Sequence, residues 1–302
     1  MGSCCSLSEK IHPVTIILKF PHGKKGIRYN HDRECFDPCD DVTDLFQKVL
    51  QRHEWDQWIL YNDESPNGKT YSTGGHSKGM VAWNRDVISW TCHSLPKFPK
   101  TMFGTSPIEI EPSEQIYGQS FFNTEIPFDA QTCARIVEQL SIMKVHVYEI
   151  HYDRKNPVTI NTTSVSTTST VSLSSTCVHL AKPPTHHIDI YSECLSTRYG
   201  ITMVETWRRG HPIINKQSHL FIPVKDIVQC QYNDTIYLET QDHSKWGTSM
   251  EENCWFGDLN RMVTQEKRGG GGFIYTNKKV AFALRSLATT SKTENENDKN
   301  RK

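Results

Sequence analysis

The sequence predicts an α/β protein made of two halves that carry the same short motif. Segments with strand-like alternation and segments with helical spacing occur on both sides of a polar stretch. That stretch, residues 161–176, contains 12 Ser or Thr in 16 residues and has little that anchors a core. The tripeptide His-Ser-Lys occurs at residues 76–78 and again at residues 243–245. The repeat indicates two related units joined by a connection.

We expect the chain to divide into five segments. An N-terminal segment covers 1–10, a first half 11–157, a Ser/Thr-rich loop or linker 158–177, a second half 178–287 and a tail 288–302. The tail is polar, highly charged and free of aromatic residues, so it is expected to be disordered. The β-branched content of the Ser/Thr-rich stretch also allows an exposed strand there.

Local patterns predict the elements of each half. In the first half we expect strands at 14–20, 58–61, 80–83 and 87–92, and helices at 42–51 and 129–140. In the second half we expect a helix at 188–198 and strands at 201–207, 219–224 and 235–239.

Composition limits the function classes. Lys plus Arg is 34 and Asp plus Glu is 34, so the chain lacks the overall basic character typical of many nucleic-acid-binding proteins. Its 14 His add positive charge below about pH 6, which favours binding of a polyanion in an acidic compartment. The sequence contains no apolar run long enough to span a membrane.

The N-terminus and the cysteines give two interpretations of location. Gly2, Cys4 and Cys5 fit a lipid-anchoring pattern of myristoylation and palmitoylation. The ten Cys and the glycosylation sequons at Asn161 and Asn233 instead favour an exported chain with a processed or late start. The Cys spacings do not match a zinc module, so we expect no metal and no cofactor.

The two His-x-Lys motifs suggest phosphodiester chemistry. On a strand, residues i and i+2 face the same side, so each motif presents an imidazole and an ammonium together. Two lysines can stabilise the phosphoryl oxygens as charge builds up in the transition state. One neutral histidine can attack phosphorus while the other, protonated, supplies the leaving oxygen with a proton, and no metal is required.

Several segments resemble deoxyribonuclease II, in the order of that family and over about residues 14 to 285. They are Trp58-Ile-Leu-Tyr-Asn-Asp-Glu-Ser-Pro66, Gly75-His-Ser-Lys-Gly79, His93-Ser-Leu-Pro-Lys-Phe-Pro99, Tyr117-Gly-Gln-Ser120, Asp242-His-Ser-Lys-Trp246, Gly257-Asp-Leu-Asn-Arg261 and Gln265-Glu-Lys-Arg-Gly-Gly-Gly271. The resemblance implies a phospholipase D-like pseudo-dimer of two α/β sandwich halves with mixed sheets. It also implies a secreted or lysosomal, acid, metal-independent endonuclease that leaves 3′-phosphate and 5′-hydroxyl ends.

The same resemblance implies roles for individual residues. It makes His76 and Lys78 the first catalytic pair, and His243 and Lys245 the second. It matches His93 to a further histidine that the family needs for activity, with a core histidine bonded to a carbonyl as the alternative. Asn260 resembles a residue that supports phosphate binding, with a turn-forming role as its alternative. The family's disulfide pattern does not carry over, because several of its cysteine positions hold other residues here.

DNA is the expected partner, with little sequence preference because contacts to phosphates carry no sequence information. The cations expected to line its groove are Lys182, Arg208, Arg209, Arg261 and Arg268, each with solvated surface charge as the alternative. The sequence leaves open whether the chain is a monomer or a homodimer.

Two rival functions stay open. Gly75-His-Ser-Lys-Gly79 also satisfies G-x-S-x-G, the nucleophile elbow of α/β-hydrolases, with Ser77 as nucleophile and Asp189 or Asp226 with His243 completing the triad. That elbow requires a strand before Ser77 and a helix after it, and the sequence favours neither. The second rival is an inactive DNA-binding or host-interaction protein of the same fold.

Overall fold

The computed structural model describes residues 14–101, 107–152, 165–211, 213 and 222–290. The first half contains two helices, α1 (Val42–Leu50) and α2 (Ala130–Met143), and the strands β1 (Val14–Lys19), β2 (Gly26–Asn30), β3 (Cys35–Cys39), β4 (Gln57–Asn62), β5 (Lys78–Trp83), β6 (Val87–His93), β7 (Gln119–Pro127) and β8 (Val147–His151).

The second half contains two further helices, α3 (Ser196–Tyr199) and α4 (Lys278–Leu287). Its strands are β9 (Ser169–Ser172), β10 (Cys177–Lys182), β11 (Ile201–Glu205), β12 (Lys225–Tyr232), β13 (Thr235–Leu238), β14 (Trp246–Ser249), β15 (Asn253–Gly257), β16 (Gly270–Thr276) and β17 (Ala288–Thr290). Short 3₁₀ turns lie at Pro112–Glu114, Glu239–Gln241 and Val263–Lys267, and a π-helical turn lies at Tyr191–Leu195.

The strands form two sheets with the same central arrangement. The described strands of the first sheet run in the order β3-β2-β1-β7-β6-β5-β4-β8, and those of the second in the order β13-β12-β11-β14-β15-β16-β10-β9, with β17 paired to β12. The five central strands β1-β7-β6-β5-β4 therefore correspond to β10-β16-β15-β14-β11. This repeat confirms the predicted α/β fold of two related halves. The described pairs of the first sheet are antiparallel, and the parallel pair β11–β12 makes the second sheet mixed.

The two sheets pack face to face and share one core. Phe122 of β7 stacks on Phe256 of β15, with ring centroids 4.9 Å apart, and it also lies 4.9 Å from the ring of Phe273 of β16. Trp90 of β6 stacks at 4.0 Å on His179 of β10. All of these side chains are buried. Apolar surface from both sheets is removed from water at the same interface, so neither half completes its core alone.

Helices seal the outer ends of this arrangement. Asp41 caps α1, Asp129 caps α2 and Asn277 caps α4, in each case by accepting hydrogen bonds from backbone N–H groups of the first turn. Helix α2 packs against β9 and β10 of the second sheet, and α4 contacts β3 of the first sheet as well as β14 and β15. The helices therefore also link one half to the other.

The helix expected at 188–198 is found as a continuous helical segment, in which a π-helical turn at Tyr191–Leu195 runs directly into α3. Two expectations need correction. The strand expected at 219–224 lies partly outside the described residues, and its remainder is not a strand, since β12 begins at Lys225. The tail expected to be disordered begins with β17, which pairs with β12. Leu287, the last residue of the preceding helix, is buried in the core and holds the start of β17 near β12. Residues 291–302 lie outside the described part.

The Ser/Thr-rich stretch contains the strand that its β-branched residues allow, whereas the cysteines differ from expectation. Within 158–177, residues 158–164 lie outside the described part, whereas β9 forms an edge strand that buries Val171 and pairs with β10. The eight cysteines of the described residues are free thiols, so the disulfides suggested by the cysteine content are not found among them. In the described part of the chain, no helix is both long enough and apolar enough to cross a membrane.

We predict that Phe122→Ala lowers the free energy of unfolding by about 3–5 kcal/mol, because it leaves a cavity between the two sheets. The matched control is Phe282→Ala, whose side chain is 64% exposed on α4 and whose loss should change stability little. Urea unfolding monitored by tryptophan fluorescence measures both. Equal midpoints for the two variants would show that the sheets do not depend on a common core.

Candidate active site

The two His-x-Lys motifs lie together, and each is bonded to the opposite half. Lys78 is the first residue of β5, and Lys245 directly precedes β14. The amide of His76 donates to the carbonyl of Gly269 at 2.8 Å, and the amide of His243 donates to the carbonyl of Gly118 at 2.9 Å. These bonds belong to two short parallel bridges that cross between the halves. The repeat seen in the sequence thus becomes one site at the junction.

A backbone carbonyl orients the His76 ring. Its Nδ1 lies 2.9 Å from the carbonyl oxygen of Asp258. A carbonyl only accepts, so Nδ1 carries the proton, and the neutral ring keeps its lone pair on Nε2. Burial lowers the pKa of His76 to about 3, assisted by the charge of Lys78, while Asp63 opposes the shift. The free site therefore holds His76 neutral.

A carboxylate and two aromatic rings surround His243. Its Nδ1 lies 3.6 Å from Oε2 of Glu114. The ring stacks on Tyr117 with centroids 4.0 Å apart and meets the edge of Trp207, also at 4.0 Å. Burial lowers the pKa of His243 to about 2, and the charges of Lys245 and Lys78 act in the same direction. Glu114 is itself partly buried, which raises its pKa.

The two lysines have different surroundings. Lys78 Nζ lies 2.5 Å from Oδ1 of Asp63 and 3.2 Å from Oε1 of Glu64. Burial opposes its charge, but these two carboxylates raise the pKa of Lys78 above the usual value. Lys245 Nζ donates to the carbonyl of His243 at 2.6 Å, and burial together with Lys78 lowers its pKa to about 8. The charge of Lys245 is thus the less compensated of the two.

Arg268 bonds the loop that precedes the first motif, and it does not line a groove for DNA. Its Nη2 donates to the carbonyl of Gly75 at 2.6 Å and to Oδ2 of Asp63 at 3.1 Å. Its Nη2 also donates to the carbonyl of Tyr71, and its Nε to that of Gly74. With 9% exposure, it fixes the loop before His76 rather than facing solvent.

Three more of the predicted DNA-binding cations are internal. Lys182 is fully buried, and its ammonium donates to the carbonyls of Glu266 and Arg268 at 2.9 and 2.7 Å. Arg261 is 1% exposed and pairs with Asp189 and Asp226. Arg208 is mostly buried and pairs with Asp226. The expectation that these three cations line a groove is corrected, because they pair with internal carboxylates or donate to internal carbonyls. Residue type alone does not reveal these partners.

Arg209 differs from the other four because it is exposed. Its guanidinium lies 4.7 Å above the ring of Trp207, which in turn contacts His243. It is therefore the one of the five predicted cations that faces solvent beside the site.

The two supporting residues are both buried. His93 ends β6, is 2% exposed and meets Phe98 edge-on; neither ring nitrogen has a hydrogen-bond partner among the described residues. Burial and the charge of Lys78 lower its pKa to about 3. Asn260 is 6% exposed, its Oδ1 has no partner in the described part, and its carbonyl accepts from Met262 in a turn. His93 is thus not the carbonyl-bonded core histidine of the alternative.

Sequence reasoning missed four residues that shape the site. Glu114 and Tyr117 contact His243, and Asp63 pairs with Lys78. Asp258 is buried, its Oδ1 lies 3.4 Å from the amide of Lys78, and burial raises its pKa to about 7. Asp63, Tyr117 and Asp258 lie inside the segments that carry the family resemblance. Their spacing to the motifs contains no signal, because each contact is made across the fold.

The esterase alternative does not fit the structure. Ser77 is 1% exposed, and strand β5 rather than a helix follows it. The carboxylates of Asp189 and Asp226 bind Arg261 instead of facing a histidine. The strand–turn–helix context of a nucleophile elbow is therefore missing at Ser77.

We predict that Asp63→Asn lowers the free energy of unfolding near pH 6 by about 3–5 kcal/mol, because it removes a charged partner from the buried Lys78 ammonium. Burial opposes the charge of Asp63, but Lys78 and His76 hold its pKa well below the usual range. Its contribution to stability is thus present above about pH 4 and is lost as the pH falls further. The deficit of the variant should shrink in acid.

The matched control is Asp86→Asn, which breaks the exposed pair of Asp86 with Arg85 and should change stability little. Urea unfolding between pH 3 and pH 7 measures both variants. A deficit of Asp63→Asn that is the same at every pH would contradict the ion-pair explanation.

Comparisons with known proteins agree with this architecture. The family model described as Deoxyribonuclease II matches residues 40–294. A Burkholderia pseudomallei protein named "Putative deoxyribonuclease-2" is 31% identical over 253 residues, which cover 75% of this chain and 69% of the relative. Cell-death-related nuclease 7 of Caenorhabditis elegans is 25% identical, covering 85% of this chain and 77% of its own. Deoxyribonuclease-2-beta of Homo sapiens is 26% identical, covering 82% and 73%. The chain therefore belongs to the deoxyribonuclease II family of phosphodiester hydrolases.

Proposed function

We propose that this protein is an acid, metal-independent endonuclease that cleaves DNA to 3′-phosphate and 5′-hydroxyl ends. The observation that carries the proposal is the pairing of two imidazoles, one oriented by a carbonyl and one facing a carboxylate, between two lysines. Family membership supports DNA as the substrate. The next steps assign the chemistry to the individual side chains.

His76 is the nucleophile in this proposal. Its Nδ1 proton is held by the carbonyl of Asp258, and its neutral ring presents the Nε2 lone pair. A neutral carbonyl gives little support to an imidazolium, so the ring stays unprotonated and ready to attack. Nε2 forms a bond to phosphorus while the bond from phosphorus to the 5′ oxygen breaks. The DNA 3′ side is then held as a phosphohistidine.

His243 is the general acid. The carboxylate of Glu114 beside Nδ1 stabilises the imidazolium, which places a transferable proton on Nε2. That proton passes to the departing 5′ oxygen as the bond breaks, so no alkoxide is released. In the second step His243, now neutral, takes a proton from water. The resulting hydroxide displaces His76, leaving a 3′-phosphate and the free imidazole.

The surroundings of His243 support the proposal of an acid optimum. Burial and the two lysines disfavour its protonated form, so the general acid is loaded only when protons are abundant. The bound phosphate carries negative charge and raises the pKa values of both histidines from those of the free site, and Glu114 beside Nδ1 adds to the rise at His243. Activity should therefore rise as the pH falls, towards the optimum of about pH 5 expected from the sequence, and decline once His76 also becomes protonated.

The lysines and Arg209 bind the backbone. Lys78 and Lys245 face the transferred phosphoryl group, and the less compensated Lys245 attracts its oxygens more strongly. Arg209 is placed to contact a neighbouring phosphate. His93 and Asn260 support the pocket in this proposal, since both hold buried polar atoms without partners among the described residues. Contacts to phosphates give little sequence preference.

We further propose export to an extracellular or lysosomal compartment, where an acid optimum is useful. Asn233 is exposed in the turn between β12 and β13, so its sequon is accessible to glycosylation. Asn161, and the Gly2, Cys4 and Cys5 of the lipid-anchor alternative, lie outside the described residues. A glycan at Asn233 in secreted protein supports export, whereas incorporation of labelled myristate supports the anchor.

We predict that the protein nicks supercoiled plasmid at pH 5 in the presence of EDTA and that the ends resist polymerase extension until a phosphatase removes the 3′-phosphate. The control is the double variant His76→Ala/His243→Ala, which should leave the plasmid intact. DNA that stays whole with the unaltered protein would favour the inactive DNA-binding alternative. Activity that appears only with magnesium would overturn the metal-independent mechanism.

We predict that His76→Ala and His243→Ala each reduce cleavage at pH 5 by about 10²–10⁴-fold, the range of a lost acid–base or nucleophilic group. A DNA substrate with sulfur in place of the bridging 5′ oxygen separates their roles, because a thiolate leaves without a proton. In a single turnover it should restore much of the rate of strand cleavage to His243→Ala and none to His76→Ala, whereas hydrolysis of the phosphohistidine by His243→Ala stays slow because His243 also activates water. The opposite pattern would exchange the two assignments.

A further inference from the structure

A group of three buried side chains lies behind the second motif. Glu205 ends β11, Cys230 lies on β12, and Asp242 immediately precedes His243. One carboxylate oxygen from each acid and the Cys230 Sγ lie within 4.8 Å of one another. The two carboxyl groups are 0% exposed and the thiol is 2% exposed. Two acids therefore meet in an interior that water does not reach.

Three of the four oxygens of these acids lack donors among the described residues. Neither oxygen of Glu205 has a hydrogen-bond partner among the described residues, and Oδ2 of Asp242 has none there either. The other oxygen, Oδ1 of Asp242, accepts from the amide of Ser244 at 2.9 Å and from the Ser244 hydroxyl. Asp242 therefore shapes the turn that carries His243 and Lys245. Two adjacent buried carboxylates of which three oxygens have no donor are strongly disfavoured as a doubly ionised pair, so we expect the pair to hold a proton or a metal ion.

The surroundings favour a proton. Arg208 pairs with Asp226, and the Lys19 ammonium donates to three backbone carbonyls, so neither cation donates to the unpartnered oxygens. The charge of Arg208 acts on Glu205, and those of Lys19 and Lys245 act on Asp242, but burial outweighs them and favours the protonated form of both acids. Burial raises the pKa of the Cys230 thiol, whereas a metal requires the thiolate. The charged and titratable groups around the two acids are Lys19, Arg208, Asp226, Cys230, Tyr237, Glu239 and Lys245, and Ser244 adds hydrogen bonds to Asp242.

We propose that Glu205 is a positioning residue that shares a bound proton with Asp242 and thereby holds the turn of His243 in its working shape. Glu205 touches neither phosphate nor imidazole and acts only through Asp242. The positioning role rests on the proposed acid nuclease function, because it concerns the turn that carries His243. The shared proton of Glu205 and Asp242 does not depend on that function.

The Glu205–Asp242 pair makes the stability of the folded chain depend on pH. Burial raises the pKa of Glu205 well above its usual value and also raises that of Asp242. The folded chain thus binds protons that the unfolded chain releases. The contribution of the pair to stability is present in acid and is lost as the pH rises through the folded pKa values. The shape of the second motif is therefore secured at the pH at which His243 is loaded.

The test is Glu205→Gln, which replaces the shared proton with an amide donor of the same size. Thermal midpoints are measured between pH 5 and pH 9 for the full chain. The unaltered protein should lose stability across this range, and Glu205→Gln should lose clearly less, so that the two curves converge or cross as the pH rises. DNA cleavage by Glu205→Gln at pH 5 should stay within about threefold of the unaltered protein, since the turn keeps its support.

Two companion variants keep the test decisive. Asp242→Asn places the amide on the other side of the pair and should flatten the pH dependence in the same way. Cys230→Ser leaves both acids in place and should keep the original pH dependence. Elemental analysis of the purified protein, and of protein incubated with zinc, covers the alternative of a metal held by the Glu205, Cys230 and Asp242 side chains.

Parallel stability curves for the unaltered protein and Glu205→Gln would overturn the proposal. Failure of both amide variants to fold at pH 5 would also overturn it, because the fold would then require the ionised acids. One equivalent of zinc that is lost in Cys230→Ser would overturn it too, because the acids would then bind a metal. The midpoints are measured without DNA. A flattened curve in a protein that cuts no DNA would therefore support the proton site while contradicting the nuclease function.

Discussion

The structure depends on the exchange of backbone hydrogen bonds between its two halves. The amide of His76 donates to Gly269 of the second half, and the amide of His243 donates to Gly118 of the first. Each histidine ring is also oriented from the opposite half, His76 by the carbonyl of Asp258 and His243 by Glu114. Neither half therefore holds its own histidine in place. The shared core around Phe122, and the helices that contact both halves, hold the two halves together at this junction.

Two equivalent buried lysines maintain the junction. Lys19 ends β1 and donates to the carbonyls of Gln115 and Tyr117, while Lys182 ends β10 and donates to those of Glu266 and Arg268. These carbonyls lie at the end of a 3₁₀ turn, where they have no intrahelical donor, and each ammonium donates the missing hydrogen bonds. Burial lowers the pKa of both lysines to about 8, so both are charged in acid. The segments they secure are the ones that contact His243 and support the loop before His76.

Local patterns predicted the motifs, the early strands and two helices, because alternation and capping residues act over a few positions. Helix α1 is an example, with Asp41 as its cap and an apolar face that recurs at helical spacing. Contacts across the fold could not be predicted in this way. Arg261 looks like a surface cation in the sequence, yet it is buried between two acids that lie 72 and 35 residues away. The strand pairing of β17 likewise depends on β12, which no local signal connects to the tail.

The unequal surroundings of the two lysines have a consequence for how a DNA strand lies in the site. If the two halves were identical, the site would present the same side chains to a DNA strand bound in either direction. Here Asp63 and Glu64 follow β4, whereas Trp207 and Arg209 follow β11, the corresponding strand of the second sheet. The first motif is thus flanked by carboxylates that pair with Lys78, and the second by an indole ring and the exposed guanidinium of Arg209. In the proposed nuclease, a strand running 5′ to 3′ meets different side chains from one running 3′ to 5′, and this asymmetry selects one strand polarity.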